Sequence, residues 1–236
     1  MLPRSRLCLV MKTSTSLFCD PEYESPVDGC EIQVRWPELV ATACSSSLTS
    51  EFPVFYECAP LPGGLFLAGV GYVKPGPGSV WDRSLRETVL ARMVAGHDLA
   101  ESVRTSALEF RLDLNDASVC YAVVDPSHGR VQWCQCGAQT SILHIVGGVA
   151  SPARRALGRG EAPGSLALRP GEALLIVAHP RAWDKYLLGA VDQNLRTGAD
   201  QLAERDALRL CGHVQSLVEG ESASILLYKT RASQAS

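Results

Sequence analysis

Hydrophobic residues along this chain follow two patterns, one with the period of a strand and one with the period of a helix. Ile32, Val34 and Trp36 alternate with polar residues, and this alternation predicts a half-buried strand. Runs that are mainly apolar and bounded by turn residues predict further strands. These strands are predicted over Leu65–Val70, Val119–Val124, Val131–Cys136, Ile142–Val146, Ala173–Ala178 and Ser224–Tyr228.

Helical spacing is concentrated in two parts of the chain. Leu85 and Val89 recur at helical spacing before Gly96, which is typical of a helix end. Asp98 and Glu101 have the spacing of a capping box at the start of a second helix. Two consecutive amphipathic helices are therefore predicted between residues 80 and 111, and two later helices over Trp183–Leu195 and Ala203–Leu217.

Small and polar segments between these elements predict loops. The segment Ser45–Ser47 is small and polar, and residues 125–129 (DPSHG) form a typical turn. Residues 147–165 contain five glycines, two prolines and three arginines, which predicts a flexible excursion. The order of the elements favours an α+β domain with antiparallel sheets over a doubly wound parallel sheet.

Composition narrows the class of protein. The chain has 236 residues, 46% hydrophobic and 20% charged, so it can bury a substantial core. A net charge of −3 gives no general reason to expect nucleic acid or an anionic membrane as a partner. The nine cysteines are an odd number, and the apolar stretch Leu7–Met11 is too short for a signal peptide core or a membrane span. We therefore expect a cytoplasmic protein with reduced thiols.

The segment Phe55–Gly78 (FYECAPLPGGLFLAGVGYVKPGPG) carries the most specific pattern in the chain. A turn at Pro60–Gly64 separates two predicted strands, and a loop rich in glycine and proline, Gly71–Gly78, follows the second. This arrangement resembles the core of the bacterial metal-dependent serine/threonine phosphatases of the PPM superfamily, particularly the sporulation-protein-E and RsbU-like class. In that family the hairpin has the pattern GGDxxD, a proline-glycine turn, an apolar strand and GDVxGHG.

Later landmarks extend the resemblance over residues 28–231. The family's turn D-P-x-x-G is present at 125–129, whereas its AGH motif falls on residues 136–138 (CGA), its T-D-G motif on 178–180 (AHP) and its D-D-x-T motif on 221–224 (ESAS). The resemblance implies a PPM phosphatase-like sandwich of two antiparallel β-sheets flanked by helix pairs. Residues 1–27 are then an N-terminal extension with a candidate first strand at Leu7–Met11, and residues 232–236 are a tail.

The resemblance also implies where metal ligands should lie. The family's metal-binding aspartates fall here on Val54, Tyr72, His179 and Glu221. Valine offers no ligand, and tyrosine stays protonated near neutral pH. Only Glu221 keeps a carboxylate at these positions, and Glu57 on the first strand is a second candidate ligand. We therefore expect a catalytically inactive domain, without Mn²⁺ or Mg²⁺, that acts as a regulatory or protein-binding module in bacterial signalling.

Two alternatives to this interpretation remain open. The first is an active serine/threonine phosphatase that binds Mn²⁺ or Mg²⁺ at an atypical site made of Glu57, His179 and Glu221. The second is a structural subunit whose former active-site face forms an interface, which would make the protein a homo-oligomer.

Other residues suggest chemistry less specifically. The pairs Cys134/Cys136 and Cys211/His213 could suggest zinc, but thiols in a packed core explain them better. The loop Gly71–Gly78 lacks the ending of a phosphate-binding loop. A further group of residues forms a candidate binding surface for an acidic partner, although a solvated basic loop is the simpler interpretation: Arg154, Arg155 and Arg159.

Overall fold

The computed structural model describes residues 22–23, 32–46, 54–73, 81–110, 112, 117–137, 140–153, 163–179, 191, 204–217 and 222–230. The strands in these ranges are β1 Glu22–Tyr23, β2 Ile32–Trp36, β3 Leu39–Ser46, β4 Val54–Leu61, β5 Leu65–Val73, β6 Ala117–Asp125, β7 Arg130–Cys136, β8 Thr140–Val146, β9 Val149–Pro152, β10 Gly164–Ala167, β11 Ala173–Ala178 and β12 Ser222–Lys229. The helices are α1 Trp81–Val94, α2 Leu99–Glu109 and α3 Glu204–Leu217. None of the described helices is long and apolar enough to span a membrane.

The strands form two antiparallel sheets. The first has the order β1-β2-β3-β12-β11-β8-β9, and the second has the order β10-β7-β6-β5-β4. Every strand pairing in the described residues is antiparallel. The predicted α+β class, a sandwich of two antiparallel sheets with flanking helices, is therefore confirmed.

Three hydrophobic cores among the described residues hold the layers together, because the central strands of the sheets bury side chains on both of their faces. The largest core lies between the two sheets and includes Phe66, Val124 and Ile225. A second core lies between the seven-stranded sheet and α3, and a third lies between the five-stranded sheet and the pair α1 and α2. The resulting order of layers is helix, sheet, sheet, helix pair.

The central strands β11 and β12 carry the most heavily buried part of the chain. Every residue of both strands is buried, and Leu175 and Leu226 have no exposed surface and pair directly in register. Burying a leucine side chain stabilises a fold by about 1.5–3 kcal/mol. The prediction that these two apolar runs form central buried strands is confirmed.

Several boundaries differ from the sequence prediction. Ser45 and Ser46 were predicted in a loop, but they end β3 because they pair with Ala223 and Ser222 of β12. The segment 147–165 contains β9 and the start of β10, so it is not wholly a loop. Of the helix predicted over Trp183–Leu195, only Val191 lies within the described residues, and it is helical. The candidate first strand Leu7–Met11 lies outside them.

The predicted start of α2 is confirmed by its hydrogen bonds. The Oδ1 atom of Asp98 accepts hydrogen bonds from the backbone N–H groups of Ala100, at 2.9 Å, and Glu101, at 3.2 Å. Unpaired N–H groups at a helix start are satisfied in this way by a capping carboxylate. The cap fixes the point where the chain turns from α1 into α2.

Candidate functional site

One end of the sandwich brings together the strand ends that the motifs single out. In the five-stranded sheet, Val54 at the start of β4 pairs with Tyr72 near the end of β5, and Tyr72 also pairs with Ser118 of β6. In the seven-stranded sheet, Thr140 at the start of β8 pairs with Ala178 at the end of β11. A hydrogen bond between the hydroxyls of Ser118 and Thr140 connects the two sheets and places these strand ends at the same end of the sandwich. We define the site end by Val54, Tyr72, Ser118, Thr140 and His179.

Val54 and Tyr72 occupy two of the positions where the family resemblance implies metal-binding aspartates. They lie directly opposite each other on neighbouring strands. Tyr72 is only 4% exposed and belongs to the core between the sheets, and Val54 packs against the same core. An apolar side chain and an aromatic ring therefore fill the place that a pair of carboxylates would occupy, and both extend the hydrophobic core toward the site end.

Ser118, Thr140 and Gln135 form a hydrogen-bonded network at the site end. The hydroxyls of Ser118 and Thr140 are 2.6 Å apart, and both residues are buried. The amide Nε2 of Gln135 donates to the backbone carbonyls of Thr140, at 2.7 Å, and Gly137, at 3.2 Å. Buried polar groups with partners of this kind stabilise a fold, whereas unpaired ones cost free energy. The network joins β6 and β7 of one sheet to β8 of the other.

His179 follows the last residue of β11 and is 5% exposed. Ala178, the residue before His179, pairs with Ala223, and Ser222, the residue before Ala223, starts β12 and has no exposed surface. The structure therefore places an imidazole and a hydroxyl at the site end. Glu221, the remaining predicted ligand position, lies outside the described residues, as do Arg154, Arg155 and Arg159.

Glu57 lies on the opposite face of β4 from Val54. Residues alternate between the two faces of a strand, so positions 54, 56 and 58 point between the sheets whereas 55, 57 and 59 point toward the helices. The Tyr121 hydroxyl donates to Oε2 of Glu57 at 3.4 Å on this helix-facing side. The structure therefore does not bring Glu57 together with Tyr72 and His179.

The surroundings of Glu57 change its ionisation. Burial raises the pKa of its carboxyl to about 7, although the nearby Arg86 guanidinium and the Tyr121 hydroxyl act in the opposite direction. Arg86 of α1 also lies 5.4 Å from the centre of the Phe55 ring and donates to the backbone carbonyl of Tyr56 at 3.4 Å. These contacts attach α1 to the five-stranded sheet, so Glu57 is part of the helix–sheet contact.

The donor set that the described residues provide at the site end does not fit a centre with two hard metal ions. Mn²⁺ and Mg²⁺ are held mainly by carboxylate and other oxygen ligands, and a two-metal centre needs several of them. The described side chains at the site end offer hydroxyls, an amide, a phenol and one imidazole. Within the ranges that the structure describes, no group of three or more His, Cys, Asp or Glu residues is close enough to hold a metal ion.

The structure also places the cysteine and histidine candidates. Cys211 lies on the buried face of α3, where its thiol is 3.2 Å from the Ser224 hydroxyl of β12, whereas His213 of the same helix is exposed. These two residues therefore do not form a zinc pair. Cys134 and Cys136 lie side by side beneath α2. The six described cysteines are all free thiols.

An open groove of about 610 Å³ lies elsewhere, along the outer side of α1. Its lining includes Glu87, Arg92 and His97. Arg92 also forms an ion pair with Glu109 of α2 at 2.5 Å. The groove belongs to the helix pair and contains none of the residues that define the site end.

Comparison with known proteins gives matches in structure only. No family model matches the sequence, and no curated protein matches it. The PP2C phosphatase domain of the cell fate determinant SpoIIE from Bacillus subtilis, solved with a fragment of its regulatory domain, has a TM-score of 0.59 and 11% identity, over 89% of this chain and 69% of that one. RsbX, solved in complex with magnesium, has a TM-score of 0.55 and 10% identity, over 89% of this chain and 100% of that one.

A third similar structure is a larger protein. The RsbU and RsbW domains of a Mycobacterium tuberculosis protein have a TM-score of 0.58 and 15% identity. The alignment covers 82% of this chain and 62% of that chain, so this chain matches less than two thirds of that structure. Together these similarities show that the chain has the fold of the PP2C-type, or PPM, phosphatase domains, as its hairpin pattern predicted.

Sequence reasoning did not identify the polar network of Ser118, Gln135 and Thr140. The signal that could have suggested it is modest: each residue is polar and sits within or beside an apolar strand. The contact between Ser118 and Thr140 joins two sheets, so the spacing of residues along one strand does not predict it. Sequence reasoning gave Glu57 as a candidate metal ligand, and the alternation of side chains along β4, which was not applied to it, would have placed it on the face opposite Val54.

Proposed function

We propose that this chain is a catalytically inactive PPM-type phosphatase domain that acts as a regulatory or protein-binding module in signalling. One observation carries the proposal. Val54 and Tyr72, which stand where metal-binding aspartates are expected, face each other across β4 and β5, and the Tyr72 ring is buried in the core between the sheets.

The chemistry of these side chains supports the absence of phosphatase turnover. In a two-metal phosphatase the ions activate the attacking water and stabilise the charge that develops on the phosphate. A valine supplies no ligand, and a tyrosine phenol has an ordinary pKa near 10, so it is a poor ligand for Mg²⁺ at neutral pH. Glu57, a ligand in the alternative active site, lies on the other face of its strand, so its position speaks against that alternative.

Metal-dependent turnover is the direct test of inactivity. We expect the purified protein to show no turnover of p-nitrophenyl phosphate above the rate of buffer with Mn²⁺ or Mg²⁺. We also expect calorimetry to show no stoichiometric binding of either ion at millimolar concentration. An isotherm for one or two sites with micromolar affinity, or turnover that EDTA abolishes, would contradict the proposal.

Restoring the carboxylates gives a second test that does not depend on wild-type activity. In the triple variant Val54→Asp, Tyr72→Asp and His179→Asp, three carboxylates repel one another at the site end unless cations neutralise them. We expect EDTA to lower the melting temperature of this variant and Mn²⁺ to recover part of the loss. We expect the wild-type melting temperature to be the same in EDTA and in Mn²⁺.

A matched control separates the site end from a general effect of charge. The control carries three aspartates at exposed hydrophobic positions instead: Val94, Leu108 and Val149, which are 52%, 76% and 57% exposed. Its melting temperature should respond to Mn²⁺ no more than that of the wild type. Strong stabilisation of the wild-type protein by Mn²⁺ would refute the proposal and favour an atypical metal site.

The protein-binding role is supported by the solved domains of the same fold. One of them is the phosphatase domain of a cell fate determinant, and another is joined to a second domain, RsbW, in a single protein. We infer that this chain likewise works through a protein partner. Light scattering distinguishes this role from that of a structural subunit: a monomer at micromolar concentration supports the module, and a stable homo-oligomer supports the structural alternative.

A further inference from the structure

We draw no further inference here: the strongest candidate, the open groove along the outer side of α1 whose lining includes Glu87, Arg92 and His97, carries nothing because nothing in the part of the chain that the structure describes shows what covers it.

Discussion

Glu57 should make the stability of this protein fall as the pH rises through neutrality. Burial raises the pKa of its carboxyl in the folded protein from 4.5 to about 7, and Glu87 adds to this rise while Arg86 and Tyr121 oppose it. Between these two values the folded state binds more protons than the unfolded state, so the free energy of unfolding decreases with pH. The loss of stability that comes from ionising the buried Glu57 carboxyl is absent at a pH below its pKa in the unfolded state. It is fully present at a pH above its pKa in the folded state.

The size of the effect follows from the two pKa values. At roughly 1.4 kcal/mol per pKa unit, the difference between 4.5 and about 7 corresponds to about 3.5 kcal/mol of stability. Most of it, roughly 2.5 kcal/mol, falls between about pH 5 and about pH 8. The variant Glu57→Gln isolates the contribution of the Glu57 carboxyl to the pH dependence, because glutamine does not ionise but still offers an oxygen to the Tyr121 hydroxyl.

The assay is urea unfolding of both proteins at the two pH values. We expect the free energy of unfolding to fall by roughly 2.5 kcal/mol more in the wild type than in Glu57→Gln between about pH 5 and about pH 8. Glu101→Gln, which removes an exposed carboxylate from the first turn of α2, should keep the pH dependence of the wild type. If Glu57→Gln and the wild type show the same change with pH, the carboxyl titrates normally in the fold and the reasoning is refuted.

Three further predictions concern the fold and are measured by urea unfolding. Leu175→Asp should cost about 3–5 kcal/mol or prevent folding, because Leu175 is fully buried, whereas Leu108→Asp on the 76% exposed Leu108 should stay within about 0.5 kcal/mol. Gly71→Ala should cost about 1–3 kcal/mol, because the new Cβ would lie 2.3 Å from the Phe55 ring; an unchanged stability would show that the ring moves freely. Asp98→Ala should cost about 1 kcal/mol through loss of the α2 cap, and no loss would contradict the capping role.

Much of the fold could be predicted because local patterns of apolar and polar residues identify the side chains that form the cores. The continuous apolar runs of β11 and β12 are central strands, and the hairpin of β4 and β5 turns where its prolines and glycines predicted. Ser45 and Ser46 were misassigned because small polar residues favour loops, whereas pairing with β12 holds them in a strand. The short strands β9 and β10 were missed because glycine, proline and arginine dominate their segment, and pairing with neighbouring strands overrides that local preference.

The candidate site was predictable in part. The expectation that Val54 and Tyr72 stand at two ligand positions came from the resemblance, and the structure shows that the two residues pair directly and that both contact the core between the sheets. Glu57 was named as a candidate ligand because its carboxylate lies on the same strand as Val54, but side chains alternate along a strand and the structure puts it on the opposite face. The hydrogen bond between Ser118 and Thr140 depends on how the two sheets pack, and no local sequence pattern predicts that packing.

The hydrogen bond between Ser118 and Thr140 has a consequence for how this domain responds to its surroundings. It links the two sheets at the site end with groups that the chain itself provides, 2.6 Å apart and shielded from water. Neither partner of this hydrogen bond carries a charge that dissolved salt could screen. The contact between the two sheets at the site end therefore keeps its strength when the ionic strength of the surroundings changes.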